Sequence, residues 1–164
     1  MAEWLVDFGG AQPVKITTCV SIGILPGAVY ANALMGKGVR TLMWDPVDVV
    51  SKPQTDAIQT NLILSLEAFN TFNPDHNKTI VANIVAGMRP GCTLIWSSGQ
   101  PGAVEKHFIN LLPKQYWVDL FVKAGLKHCV VTEKRLTDYV AAGKHVSWLL
   151  ENVLIFQNQA VPVI

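Results

Sequence analysis

Gly23, Gly27 and Asp45 are the first residues whose types and spacing could do chemistry. The two glycines frame the turn Ser21-Ile22-Gly23-Ile24-Leu25-Pro26-Gly27 behind an apolar run, and Asp45 closes the next apolar run. A glycine after a strand lets the backbone turn sharply, and a second one at a helix start allows close approach of a ligand or of the sheet. An acid ending the following strand, roughly twenty positions on, suits a ribose diol that needs two hydrogen bonds accepted. Strand, glycine turn, helix, strand and acid together have the shape of a nucleotide-cofactor site. The turn reads G-x-x-P-G, with Leu25 where the usual fingerprint has its middle glycine. Ordinary strand-to-helix turns use glycine as well, so the turn alone does not choose between the two.

Further strand ends bear polar groups. Glu67 closes the run Leu62-Ile63-Leu64-Ser65-Leu66, and Ser97 closes Cys92 to Trp96. An acid there can bind a substrate or cap the following turn. His107, in the loop from Ser97 to Leu112, is the best general-base candidate, because an unperturbed imidazole titrates near working pH. The competing reading is a solvated loop histidine. Tyr116 and Trp117 could wall an acceptor pocket, yet aromatics at helical spacing are more often core.

Composition sets the class. The chain has 164 residues, half of them hydrophobic, and a net charge of +1. Its thirteen Lys and Arg are scattered, which gives no electrostatic footprint for nucleic acid or an anionic membrane. Cys19, Cys92 and Cys129 sit in strand-like runs without metal-ligand spacing, so we expect buried free thiols, a reducing cytoplasmic setting and no metal. The apolar segment from Ile16 to Met35 is interrupted by Pro26 and two glycines, as suits a turn and not a membrane span.

The elements that must position these residues alternate. We expect a short helix over Glu3–Phe8 within an N-terminal segment 1–14, strands over 15–22, 39–44, 61–66, 92–96, 128–132 and 152–157, and helices over 27–35, from 74, and from 113 to about 124. Asn73-Pro74-Asp75 is a helix start. Residues 47–60 are short and polar, and the stretch before the last strand is irregular or partly helical. Nearly continuous apolar strands alternating with helices imply an α/β fold, an open and mostly parallel sheet with helices on both faces, and ligands at the carboxyl ends of its strands. We read 1–164 as a single domain.

In order, "SIGILPGAVYANALMGKGVRTLMWDP", "LILSLEAFNTFNP", "VAGMRPGCTLIWSSG", "YWVDLFVKAGLKHC" and "NVLIFQN" resemble the class I, Rossmann-like S-adenosylmethionine-dependent methyltransferases from Val14 to Asn158. The resemblance implies a seven-stranded sheet with an antiparallel last strand, and S-adenosylmethionine as cofactor. It implies that Gly23 and Gly27 lie against the methionine part, that Asp45 holds the ribose hydroxyls, that Asp56-Ala57-Ile58 flank the adenine, and that Ser65 to Glu67 line the site near the sulfonium. Glu67 and His107 are then the candidate catalytic residues. Three departures stand out: Ser21 where an acid is usual, Leu25 for a glycine, and a shortened 47–60 region. No Asn/Asp-Pro-Pro-Tyr motif follows the third strand, which favours methyl transfer to an oxygen or nitrogen of a small-molecule acceptor. The alternatives are a catalytically degenerate methyltransferase-like scaffold that binds a protein partner or pairs as a homodimer, and another nucleotide-binding enzyme such as a dehydrogenase.

Overall fold

The computed structural model describes residues 16–23, 27–54, 60–142 and 147–159. The helix expected over Glu3–Phe8 lies outside them, as do Leu25, Pro26, Asp56, Ala57 and Ile58. Strand β1 spans Thr18–Ile22 and leads through Gly23 to helix α1, Gly27–Met35. Strand β2, Arg40–Trp44, is followed at once by a short helix α2, Pro46–Ser51. Strand β3 covers Leu62–Leu66; a 3-10 turn over Pro74–His76 then runs into α3, Asn77–Ala86. Strand β4, Thr93–Ser97, precedes α4, Lys114–Lys123, and the chain closes with β5 (Leu126–His128), α5 (Val130–Ala142), α6 (Ser147–Asn152) and β6 (Val153–Asn158).

The strands form one sheet in the order β2-β1-β3-β4-β6-β5. Strands β1 to β4 pair in parallel, and β6 runs antiparallel between β4 and β5. This is the open, mostly parallel sheet with an inserted antiparallel last strand that the sequence implies. Alternation along β3 and β4 separates two cores. Ile63, Leu94 and Trp96 face Val49 of α2, Ile80, Val81 and Ile84 of α3, and Trp117 and Phe121 of α4. Leu62, Leu64, Leu66 and Ile95 face Leu34 of α1, Leu136 and Val140 of α5, and Leu149 of α6. Helices therefore cover both faces, and β3, buried at every position, reads as an apolar run broken only by Ser65. No described helix is long and apolar enough to cross a membrane.

The structure corrects some of the expected elements. The β-branched run Cys129-Val130-Val131-Thr132 is not a strand: β5 stops at His128, and the Cys129 carbonyl accepts the Glu133 amide at 2.9 Å to start α5. Val130 and Val131 stand 61% and 70% exposed on its first turn, while Leu136 and Val140 fix its buried side, so tertiary packing overrides local propensity. Helix α2 was unforeseen, although Asp45-Pro46 is a cap followed by proline at the first helical position. The resemblance implies seven strands; among the described residues there are six, and none lies between α2 and β3.

Cys19 and Cys92 are buried free thiols, whereas Cys129 is half-buried in the turn between β5 and α5. Burial pushes Cys19 and Cys92 up to about 12, the proximity of the Cys92 thiol adding to Cys19 and Arg89 opposing the rise at Cys92. An unfolded thiol loses its proton near pH 8.5. Above that pH the unfolded chain has released a proton that the folded chain keeps, so stability must fall as pH rises, by about 1.4 kcal/mol per pH unit for each thiol. Urea titrations between pH 7.5 and 10.5 are expected to show a fall that begins above pH 8 and flattens in Cys19→Ala and Cys92→Ala.

Candidate functional site

Strand order reverses at β1, which has β2 on one side and β3 on the other, and the carboxyl ends of the strands at such a reversal are where open α/β sheets bind ligands. Gly23, itself buried, follows β1 at this point. Its amide donates to the Trp44 carbonyl at 3.1 Å, and its φ of +86° is one that glycine adopts without strain. A Cβ added there would lie 3.2 Å from Ala68 Cβ and 3.7 Å from the Pro46 ring. The residues that follow β1, β2 and β3 thus meet at one point.

Gly27 opens α1 against the end of β1. A Cβ on it would sit 2.7 Å from Ser21 Oγ, a fully buried hydroxyl with no hydrogen-bond partner among the described residues. Ser21 therefore reaches up against the backbone at the start of α1. Gly27→Ala is expected to destabilise the fold by about 1–3 kcal/mol through overpacking. Ser21→Ala should be neutral or stabilising, since no bond is lost, and should remove most of the Gly27→Ala cost when the two are combined. Urea midpoints of the two single variants and the double variant measure that coupling.

Asp45 is exposed at the end of β2, and its Oδ1 accepts the Val47 amide at 2.8 Å, capping α2. That cap occupies one carboxylate oxygen and leaves Oδ2 as a further acceptor at the sheet's carboxyl edge. Ser65, opposite Ile22 in register, is fully buried, and its hydroxyl is likewise unpartnered among the described residues. Trp96, paired with Ser65, is also fully buried.

Glu67 is the one described residue other than glycine with a positive φ, +55°. A left-handed conformation costs an ordinary residue about 1–2 kcal/mol, and the surroundings must hold it there. Its amide donates to the Ser97 carbonyl and to Ser97 Oγ, each at 3.1 Å. Its carboxylate accepts from Asn70 Nδ2 on Oε2 and from Asn152 Nδ2 at 3.4 Å on Oε1. Asn70, fully buried, ties this carboxylate to the loop after β4. Its Oδ1 accepts Ser98 Oγ at 3.0 Å and the Gly99 amide at 2.9 Å, and its carbonyl accepts the amides of Ile109 at 2.8 Å and Asn110 at 2.9 Å. Asn110 in turn exchanges two amide bonds with Asn77, at 2.7 and 3.0 Å. Both stems of the loop are fixed in this way, and residues 101–107 project into solvent.

His107 stands exposed on that projecting part, next to a turn in which the Phe108 amide donates to the Glu105 carbonyl. The structure thus brings Gly23, Gly27, Asp45, Ser65 and Glu67 to one edge of the sheet and sets His107 at the rim. Trp117 is core; Tyr116 packs partly against it and meets Asn77 Nδ2 at 3.4 Å through its hydroxyl. Sequence reasoning missed Asn70 and Asn152. Asn70, three residues beyond Glu67, carries a local turn signal, but Asn152 reaches Glu67 only through the packing of α6, and no spacing reveals that.

No family model and no curated protein matches the sequence. Solved structures match over nearly the whole chain. One described as PigF with SAH is 18% identical at a TM-score of 0.56, over 97% of this chain and 60% of its own. A TehB-like SAM-dependent methyltransferase from Corynebacterium glutamicum is 12% identical at 0.56, over 94% of this chain and 87% of its own. The [4+2]-cyclase SpnF is 11% identical at 0.54, over 98% and 81%. The chain has the class I, Rossmann-like methyltransferase fold. It spans 60% of the first of these proteins and about half or less of several others.

Proposed function

We propose that the chain binds S-adenosylmethionine at the carboxyl ends of β1, β2 and β3 and transfers its methyl group to an oxygen or nitrogen of a small-molecule acceptor. The observation that carries this reading is the meeting of the three strand ends at Gly23, with Asp45 on one side and Glu67 on the other. The residues present suit the cofactor. Gly23 brings the ends of β1, β2 and β3 together, Ser21 has a buried hydroxyl with no partner among the described residues, and Asp45, exposed at the end of β2, has Oδ2 as an acceptor for a ribose hydroxyl. The fold neighbours described with SAH or as SAM-dependent support the same group.

When bound, S-adenosylmethionine would supply an electrophilic methyl carbon on a sulfonium. The protein's own part is positioning, which can supply most of the acceleration in a displacement of this kind. Glu67, held by two amide donors, accepts a hydrogen bond from the acceptor's reacting group and so orients it. For a hydroxyl acceptor a base is needed, and we assign that task to His107 at the rim. Asp56 and Ala57 are assigned to the adenine by the same resemblance. We read the chain as one domain that works in the cytoplasm.

The test is product formation. Incubation with methyl-labelled S-adenosylmethionine and a mixture of small alcohols, phenols and amines is expected to transfer label to an acceptor and release S-adenosylhomocysteine. Binding of the cofactor without turnover on any acceptor would favour the scaffold reading; the cyclase neighbour is a separate reminder that this fold hosts other chemistry.

A further inference from the structure

Glu67 combines features that a turn cap does not need. It is kept in a left-handed backbone conformation, its carboxylate is half-buried, and each oxygen is engaged by an asparagine amide from a different part of the chain. Asn70 follows β3, and Asn152 ends α6. Two amide donors occupy about half of the lone-pair positions of a carboxylate, so acceptor capacity remains on its open side. Both donors are neutral. The ion pairs among the described residues are Lys114–Glu133, His128–Glu133 and Lys134–Asp138, and none involves Glu67. A partly buried carboxylate whose described partners are neutral is answered best by a cation that can also donate hydrogen bonds.

We infer that Glu67, fixed by Asn70 and Asn152, is a binding site for a primary ammonium group, and that the acceptor of the proposed methyl transfer is an amine, which must first give one N–H proton to His107 or to solvent water so that its nitrogen has a lone pair to take the methyl group. This rests on the methyltransferase reading only for the word acceptor; the ammonium site stands on the carboxylate and its two asparagines. The two asparagines are positioning residues. Asn70 also fastens both stems of the loop after β4, so an occupant of Glu67 sits under residues that the same side chain holds in place.

The experiment is a two-dimensional amide NMR titration of the full chain, following the side-chain NH2 signals of Asn70 and Asn152, with n-butylammonium chloride and with n-butanol as probes. Saturable shifts of both signals with the ammonium, at least tenfold stronger in affinity than with the alcohol, are expected. Glu67→Gln, which keeps size but removes the charge and one acceptor oxygen, should cut ammonium affinity at least tenfold. Equal affinity for the two probes in the wild-type chain, no saturable shift, or an undiminished shift in Glu67→Gln would overturn the inference; the wild-type comparison decides even where the variant folds poorly. A separate calorimetric titration with S-adenosylmethionine keeps the two readings apart. Cofactor heat without an ammonium shift sinks only the amine site, and an ammonium shift without cofactor heat sinks only the methyltransferase reading.

Discussion

Replacing Asp45 with asparagine is expected to weaken S-adenosylmethionine binding about tenfold while leaving the fold intact. Asp45 does two jobs on separate oxygens. Oδ1 caps α2 through the Val47 amide, and Oδ2 is the acceptor left for the ribose diol. Asparagine caps a helix about as well as aspartate does, so the first job survives. The second does not, because Nδ2 donates where the diol needs an acceptor. A hydrogen bond to a charged group contributes about 1.5–3 kcal/mol, which corresponds to a tenfold to hundredfold change in affinity. Asp45→Ala should lose the binding and, with the cap gone, about 1 kcal/mol of stability as well. Calorimetry and urea denaturation on the pair separate the two jobs. Unchanged S-adenosylmethionine affinity in both variants would show that the carboxylate's role is the cap alone.

The largest stability effect is expected at Trp96. Its indole is fully buried beneath the ends of β3 and β4, stacked on Phe69 at 5.6 Å and 12°, and close to Trp117 at 4.7 Å and Phe121 at 5.1 Å. Trp96→Ala empties the centre of that cluster and should cost about 3–5 kcal/mol. A domain of ordinary stability has only about 5–15 kcal/mol in total, so thermal unfolding should fall by about 10 °C. Trp96→Phe should cost less than half as much, because Nε1 has no described partner and no hydrogen bond is lost with it. The cluster also bears on the site. Phe69 precedes Asn70, so a collapse around Trp96 should displace the asparagine that holds Glu67. Far-ultraviolet circular dichroism during urea unfolding gives the stability, and the Asn70 side-chain amide signal reports the displacement.

Much of the fold was legible because its signals are local or periodic. Helix α1 begins and ends where the glycines place it, at Gly27 and before Gly36, and β3 shows as a run with no polar interruption other than Ser65. The antiparallel last strand came with the resemblance carried by "NVLIFQN", and the register of Thr93 with Gln157 bears it out. What failed was where local preference and tertiary packing disagree. Val130-Val131-Thr132 has the composition of a strand, yet Leu136 and Val140 bury the far side of a helix and carry the first turn with them. Asp45-Pro46 was read as the end of a strand when it is also the start of α2.

The site divides in the same way. That Gly23, Asp45 and Glu67 share one edge of the sheet was legible because strand ends converge by topology, which alternation in sequence already implies. The setting of Glu67 was not legible. Its positive φ cannot be read from a glutamate, and its two amide partners come from the next turn and from the far end of the chain. The resemblance likewise marked Ser21 as a departure from the acid usual at that position, but not that its hydroxyl is buried against Gly27 with no partner among the described residues.

Titration calorimetry of the full chain with S-adenosylmethionine tests the central claim most directly. One saturable site per chain is expected, weakened in Asp45→Asn. A folded protein that gives no heat with S-adenosylmethionine, at concentrations up to the millimolar range, would contradict it.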